Sequence, residues 1–204
     1  MFVQVIQGHV SDAAALRPVM EKWERDLAPG AEGWLGSTAG VTDDGRLIAI
    51  ARFDSEQSAR RNSDRPEQGA WWAEMSAMFS DEPTFLESTE VLVTEGSGDP
   101  DSAGFVQVIL GRTSDPDRAR ELMAAQSPDW SGFRPDVLGS LVAVHGGGAY
   151  TFAIYFTSVD DARSGEQKEA PESIKAEMEE MDSLEVGTPE FLDLEDPVLS
   201  TPTS

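Results

Sequence analysis

The stretch Phe2-Val3-Gln4-Val5-Ile6 determines the predicted fold, because the same five residues recur at positions 105–109, 103 positions later. At the same offset residues 35–37, 59–60 and 73–75 match residues 138–140, 162–163 and 176–178. Near the end the register slips by three, so that residues 83–93 meet residues 189–199. One offset that serves four separate segments indicates two copies of a single unit.

Each copy has the pattern β, α, β, β, α, β. A β-branched run opens the first copy, and Ser11 and Asp12 are suited to cap the helix that follows. Asp43-Asp44-Gly45 predicts a hairpin between two strands, residues 55–79 read as a helix broken at Pro66, and residues 84–93 read as the last strand. This order is that of the ferredoxin-like split βαβ motif. The predicted fold class is therefore α+β, with two ferredoxin-like βαββαβ units.

The predicted domain boundaries follow from the repeat and from one polar stretch. Residues 95–104, EGSGDPDSAG, contain little that could be buried and are typical of a linker. We predict a first ferredoxin-like half at residues 1–95, a linker at 96–104, a second half at 105–199 and a tail at 200–204. Each half has a length that is common for a domain.

The alternation along the first strand predicts how the halves are covered. We expect Val3 and Val5 to lie under the helices, and Phe2, Gln4 and Ile6 to lie on the opposite face of the sheet. That opposite face is apolar and needs a cover. Packing the two sheets face to face supplies one, which predicts an intramolecular dimeric α/β barrel, a pseudo-dimer within one chain. Further homo-oligomerisation stays open.

Composition excludes several classes of function. The chain has no cysteine, so it has no disulfide, thiolate metal site or cysteine nucleophile. Its net charge is -23, and so acidic a surface repels nucleic acid and anionic membranes. No apolar run is long enough to span a membrane, and we expect a soluble cytoplasmic protein. The acidity itself has two open explanations, which are solubility or salt adaptation and a docking surface for a basic partner.

Two longer stretches carry a resemblance to a known family. They are FVQVIQGHVSDAAALRPVMEKWERDLAPGAEGWLGSTAGVTDDGRLIAIARFDS, residues 2–55, and ARRNSDRPEQGAWWAEM, residues 59–75. In these the chain resembles the dimeric α/β-barrel superfamily, and within it the antibiotic-biosynthesis-monooxygenase type of domain. The resemblance implies one of three roles: cofactor-independent oxidation of aromatic polyketides, haem degradation, or a domain without established activity.

Haem degradation is the poorest of these readings. The resemblance implies that haem-degrading members carry an axial histidine on the second helix and an asparagine on the first strand. Neither residues 55–79 nor 159–182 contain a histidine, and the first-strand position holds Gln4 or Gln107. The two histidines, His9 and His145, do not align with each other in the repeat, so we expect structural or solvent roles for them and no metal site. No cofactor is expected.

The resemblance implies a catalytic pair for quinol oxidation, Asn62 and Trp72. Such residues would polarise the substrate and help to deprotonate it before oxygen attacks. The second copy has Gly165 and Lys175 at these positions, so at most one half could be active, and the tyrosine that completes the family set is missing from the first copy. Helix capping or loop bonding by Asn62, and packing of Trp72 on a neighbouring loop, are the open alternatives.

Four further residues are candidates for ligand binding. Gln4 and Gln107 place an amide on an apolar face, where it would bond to a ligand oxygen or to other protein groups. Arg52 and Tyr155 lie near the ends of the two third strands. Arg52 could attract an anionic group at the barrel mouth or pair with one of the 38 acidic residues.

Two hypotheses of different class therefore stand. In the first, the chain is a cofactor-independent monooxygenase whose first half holds a small aromatic or polyketide-like molecule. In the second, it is a non-catalytic module that binds a small molecule or a protein partner on a degenerate barrel. The sequence leaves open whether the protein is an enzyme.

Overall fold

The computed structural model describes residues 1–125 and 129–202. Within these residues the chain forms two compact units, one made of residues 1–91 and 196–202 and the other of residues 92–125 and 129–195. The predicted boundaries at 1–95, 96–104 and 105–199 describe the repeat along the sequence and stay a prediction. Of the predicted tail at 200–204, residues 203 and 204 lie outside the described residues.

Strands and helices alternate in both units as the repeat requires. The strands are β1 (Phe2–His9), β2 (Trp34–Val41), β3 (Arg46–Phe53), β4 (Thr84–Ser88), β5 (Glu90–Glu95), β6 (Phe105–Arg112), β7 (Val137–Val144), β8 (Ala149–Phe156), β9 (Glu190–Leu194) and β10 (Val198–Ser200). The helices are α1 (Leu16–Asp26), α2 (Glu56–Ser63), α3 (Pro66–Ser76), α4 (Pro116–Ala124), α5 (Asp129–Phe133), α6 (Val159–Glu166) and α7 (Glu172–Leu184). The first sheet has the order β10-β2-β3-β1-β4 and the second β5-β7-β8-β6-β9. This confirms the α+β fold class with two ferredoxin-like units.

The predicted local signals account for several element ends. Gly45, with a φ of 85°, closes the predicted hairpin between β2 and β3, where the amide of Thr42 bonds to the carbonyl of Arg46. Pro66 is the first residue of α3. Proline is suited to this position because an N–H there would have no intrahelical partner, so its absence costs nothing. The Ser55 and Ser158 side chains, which were not among the predicted caps, cap α2 and α6.

The last strand of each copy is divided, and its two parts join different sheets. The sequence predicted a single strand at residues 84–93, but β4 ends at Ser88 and β5 begins at Glu90. The Ser88 hydroxyl donates to the carbonyl of Glu90 and accepts from its amide, which fixes the bend between the strands. In the second copy Pro197 separates β9 from β10, as a residue without an amide donor would. Strand β5 lies at the edge of the second sheet, and β10 at the edge of the first.

The prediction of which face lies under the helices is wrong. Phe2 belongs to the core that the first sheet forms with its helices, together with Trp23 of α1 and Trp71 of α3. Val3 and Val5 therefore point to the opposite face, where they are fully buried. Because both faces of the sheet are buried, hydrophobicity along the strand reveals the alternation but not which side the helices cover.

The second unit repeats this arrangement. Phe105 of β6 and Phe156 of β8 pack on Ala162 of α6, with the two rings stacked at 5.5 Å. Val106 and Val108 lie on the opposite face and are fully buried. The helix face of each sheet is therefore built on the phenylalanine that opens the repeated stretch.

Candidate functional site

The two glutamines of the repeated stretch lie on the helix faces of their sheets and contact carboxylates. Gln4 Nε2 donates to Glu87 Oε1 over 3.0 Å, and Gln107 Nε2 donates to Asp193 Oδ1 over 2.9 Å. Each glutamine is directly opposite its carboxylate in the strand register. The predicted position of Gln4, on the face away from the helices, is thus wrong, and the ligand-binding role of both glutamines stays a prediction.

An arginine completes each of these clusters. Arg60 of α2 binds both oxygens of Glu87, at 2.7 and 2.5 Å, and its guanidinium lies 5.7 Å from the Phe2 ring centre. Arg163 of α6 donates to one oxygen of Asp193, Oδ2, and its guanidinium lies 5.3 Å from the Phe105 ring centre. The cluster is present in both units although the candidate catalytic positions differ between them. A role in joining helix to sheet, common to both units, accounts for this.

The cluster makes stability depend on pH. The hydrogen bond from Arg60 is the largest cause that lowers the pKa of Glu87 below its usual value. A carboxyl group with a lowered pKa in the folded state contributes stability above its unfolded pKa, about 4.3, and that stability is lost as the pH falls through the folded pKa. Thermal melts between pH 7 and pH 2.5 should therefore show a smaller decline for Glu87→Gln than for the wild type. Glu32→Gln, at an exposed carboxyl, should keep the wild-type decline; equal slopes for all three proteins would contradict the assignment.

Asn62 is a buried amide whose orientation is fixed. It lies on α2 with 6% of its surface exposed, and its Oδ1 accepts from Arg65 Nη1 over 2.9 Å. The same Arg65 nitrogen donates to the carbonyl of Leu27 over 3.0 Å, which holds the guanidinium in place. Because only an oxygen can accept from Arg65, Nδ2 must lie on the other side of the carboxamide. Within residues 1–125 and 129–202, no group accepts a hydrogen bond from Nδ2.

The second unit fills the corresponding space with an ion pair. A Cβ added to Gly165, the counterpart of Asn62, would lie 2.4 Å from Nε of Arg134. Arg134 bonds to both oxygens of Asp136 and to the carbonyl of Ala162, and the two charged side chains are 13% and 6% exposed. The spare amide donor is therefore a feature of the first unit, because in the second unit a guanidinium occupies the position and is neutralised.

Trp72 belongs to a group of aromatic rings beside β4. Its ring lies 6.4 Å from Trp71 and from Phe79, and 5.3 Å from Phe85 in an edge-to-face arrangement. Trp71 is in the core, as its counterpart Ile174 indicates, and donates from Nε1 to the carbonyl of Val19 over 3.0 Å. Asn62 and Trp72 share no partner among the described contacts, and their joint catalytic role stays a prediction.

Arg52 and Tyr155 occupy equivalent places on the faces away from the helices. Arg52 lies beside Val3 in the register, and Tyr155 lies beside Val106 and is 4% exposed. Gly36 leaves room for the arginine, since a Cβ there would lie 2.3 Å from Arg52 Nη2. The two side chains differ in charge and in hydrogen-bonding capacity, so the faces are not chemically equivalent; their ligand-binding roles stay predictions.

The histidines have separate surroundings, and the partly buried Tyr150 is held by a carboxylate. His145 Nε2 lies 3.0 Å from Thr151 Oγ1 and is buried, whereas His9 is exposed and 3.9 Å from Asp81. The Tyr150 hydroxyl donates to Glu185 over 2.7 Å, and burial is the largest cause that raises its pKa.

No group of three or more metal-ligating side chains occurs among the residues that the structure describes, and none of the helices there is long and apolar enough to span a membrane.

Sequence reasoning missed the arginines that fix these clusters. Arg60 and Arg163 stand at equivalent positions of the repeat, and this recurrence was the signal that could have found them. Arg65 and Arg134 gave no such signal. Their partners, Asn62 and Asp136, come from different positions of the two copies. The correspondence between Arg65 and Arg134 is therefore visible only in the folded chain.

Comparison with known proteins shows the fold. No protein-family model and no curated protein matches the sequence. Among solved structures, a "putative monooxygenase" from Lactobacillus acidophilus superposes with a TM-score of 0.76 at 13% identity, covering 98% of this chain and 95% of that one. A protein of the same description from Fusobacterium nucleatum has a TM-score of 0.76 at 9% identity, covering 98% and 94%. An anthrone oxidase-like protein has a TM-score of 0.65 at 12% identity, covering 98% and 93%. The chain thus shares the fold of these solved structures, with two ferredoxin-like units.

Proposed function

We propose that the first unit binds a small electron-rich aromatic molecule and oxidises it with molecular oxygen, without a cofactor. The observation that carries the proposal is Asn62, a buried amide with its oxygen fixed by Arg65 and its Nδ2 donor uncommitted among the described residues. The second unit, with Gly165 and the Arg134–Asp136 pair at this place, would not take part. The solved structures of similar fold, two described as monooxygenases and one as anthrone oxidase-like, accord with this choice of chemistry.

The geometry around Asn62 suits a developing negative charge on oxygen. A donor that is held in place before the reaction stabilises an oxyanion without having to reorganise. The guanidinium of Arg65, bonded to Oδ1, draws electron density through the amide and strengthens Nδ2 as a donor. A hydrogen bond from Nδ2 to the oxygen of a phenol or an anthrone would therefore favour its phenolate or enolate form, and the proton would leave to solvent.

The reaction balances with oxygen as the sole oxidant. An anthrone enolate passes one electron to oxygen, and the two radicals combine to form a carbon–oxygen bond. The peroxide anion takes a proton back from solvent and then loses water, as the remaining carbon–hydrogen bond and the oxygen–oxygen bond break, which leaves a carbonyl where the methylene stood. The methylene carbon gives up four electrons in all, and one oxygen molecule accepts them, so one oxygen atom enters the product and the other becomes water.

The variant Asn62→Asp tests the role of Nδ2 directly. It keeps an acceptor for Arg65 and the size of the side chain, but it replaces the donor by a second oxygen. We expect the rate of anthrone oxidation to fall about 100-fold, as with the loss of one oxyanion donor in other enzymes. Oxygen consumption and the absorbance of the quinone product measure this rate.

Ser63→Ala is the matched control, since Ser63 neighbours Asn62 on α2 but is exposed. It should keep the wild-type rate. If anthrones and quinols are consumed by the wild type no faster than in buffer, or if Asn62→Asp retains full activity, the oxidation proposal is wrong.

A non-catalytic binding module is the second candidate function. The observation that favours it is the separation of Asn62 from Trp72, which lie on different helices and have no described partner in common. In this case a hydroxyanthraquinone, a stable product of the proposed reaction, should bind the wild type and be released unchanged, with no oxygen consumed when the reduced anthrone is supplied.

A further inference from the structure

We propose that strand β4, with the aromatic rings beside it, is a docking site for an extended basic segment of another protein. This surface, which we call the β4 edge, consists of Trp72, Phe79, Phe85 and the acidic residues Asp81 and Glu82. The proposal is independent of the chemistry at Asn62.

The first observation is an edge strand that ends its sheet. In the order β10-β2-β3-β1-β4, strand β4 pairs with β1 on one side and with none of the described strands on the other. An edge of this kind offers backbone donors and acceptors to an added strand. Thr84, Phe85 and Glu87 are exposed, whereas Ser88 at the end of the strand is buried, so the accessible part of the edge is residues 84–87.

The second observation is an exposed aromatic group on that edge. Phe85 is 46% exposed, and its ring meets the partly buried Trp72 ring edge to face at 5.3 Å. Phe79 continues the group at 6.4 Å from Trp72. The faces of such rings attract guanidinium and ammonium groups, most strongly for tryptophan.

The third observation is the charge around the rings. Asp81 and Glu82 are exposed and are separated from the start of β4 by Pro83 alone, and the whole chain carries a net charge of -23. Arg60, which bonds to Glu87 of β4, is also paired with Glu56. A second copy of so acidic a chain would be repelled, whereas a segment rich in arginine or lysine would be attracted. The charge therefore selects a basic partner over self-association.

The second unit supplies an internal comparison. Phe191 of the edge strand β9 corresponds to Phe85 and is 57% exposed. Lys175 and Asp182 stand where the first unit has Trp72 and Phe79, and Lys175 bonds to Glu169 and Glu172. An exposed phenylalanine on an edge strand is thus common to both units, but the aromatic group is confined to the first.

A synthetic peptide of four Arg-Thr repeats is the probe, and isothermal titration calorimetry at low salt measures its binding to the intact chain. We expect Phe85→Thr to weaken binding roughly tenfold, and Phe191→Thr to leave it unchanged. Threonine is suited to an exposed strand position, so both variants should keep the fold, which circular dichroism will verify. Amide exchange should slow at residues 84–88 of the wild type when the peptide is added.

Several outcomes would overturn the proposal. The first is that the peptide does not bind. The second is that its affinity depends on salt but is the same for Phe85→Thr and the wild type, because the general charge of the chain then explains the binding. Equal weakening by Phe85→Thr and Phe191→Thr, or protection of amides at β9 in place of β4, would also contradict it. Binding of a second copy of the chain at the β4 edge, seen as dimerisation that Phe85→Thr abolishes, would replace the proposed partner.

Discussion

Replacing Arg134 by alanine should lower the free energy of unfolding of the second unit by about 3–5 kcal/mol. Arg134 and Asp136 are both largely buried, and the guanidinium also donates to the carbonyl of Ala162 and lies 5.4 Å from the Phe156 ring. Removal of the cation leaves a carboxylate that is 6% exposed without its partner. The cost is that of an uncompensated buried charge, which exceeds the net stability that the intact pair contributes.

Denaturant unfolding, together with native-state hydrogen exchange at β7 and β8, measures the effect and locates it in the second unit. Arg120→Ala is the matched control, because Arg120 pairs with Asp117 at the surface, with 44% and 86% of the side chains exposed. It should cost at most about 1 kcal/mol. If Arg134→Ala lowers the free energy of unfolding no more than Arg120→Ala does, the buried pair is not important for the stability of the unit.

Trp71→Ala should destabilise the first unit by about 3–5 kcal/mol. The side chain is 9% exposed, and its ring lies 6.3 Å from Trp23, which in turn meets Trp34 at 4.8 Å. Truncation leaves a cavity among these rings, and it also deprives the carbonyl of Val19 of the donor from Nε1.

The neighbouring Trp72→Ala is the control, since Trp72 is only partly buried. Its loss should cost about 1–2 kcal/mol, mainly through the contacts with Phe79 and Phe85. Both values come from denaturant unfolding monitored by far-ultraviolet circular dichroism, which does not rely on the removed fluorophore. If Trp72→Ala proves as costly as Trp71→Ala, the assignment of Trp71 to the core and of Trp72 to its edge would be wrong.

The architecture was predictable because the repeat and the turn residues are local signals. The repeated Phe-Val-Gln-Val-Ile stretch identified two units, and Asp43-Asp44-Gly45 identified the central hairpin of the first. The prediction that Val3 and Val5 lie under the helices was wrong, because alternation along a strand separates its two faces but does not indicate which face the helices cover. The exchange of the last strands between sheets also escaped prediction, because a break at Ser88 does not say which sheet the next strand joins.

The site was less predictable because its geometry depends on side-chain partners far apart in sequence. Gln4 was identified as a buried amide in need of a partner, and the partner proved to be Glu87, 83 residues later in the chain. Asn62 was identified through family resemblance, whereas the feature that distinguishes it, an oxygen held by Arg65, comes from the turn between α2 and α3. Pairings of this kind follow from the tertiary structure and not from local pattern.

The two units show how one scaffold diverges around a constant framework. The glutamine, carboxylate and arginine cluster is the same in both, with Arg60 and Arg163 as its cations. The space beneath the second helix differs, holding a neutral amide in one unit and an ion pair in the other. The ligand chemistry that we propose at Asn62 therefore concerns the first unit only.

The central claim is that Asn62 presents its Nδ2 donor to an aromatic ligand, and one measurement tests it most directly. Asn62 is the only asparagine in the chain, so protein labelled with nitrogen-15 in the asparagine side chain gives one carboxamide NH₂ signal. Titration with a dihydroxyanthraquinone should shift that signal in a saturable manner, with one molecule bound per chain. A carboxamide signal that does not move, whether the compound binds elsewhere or does not bind at all, would contradict the account.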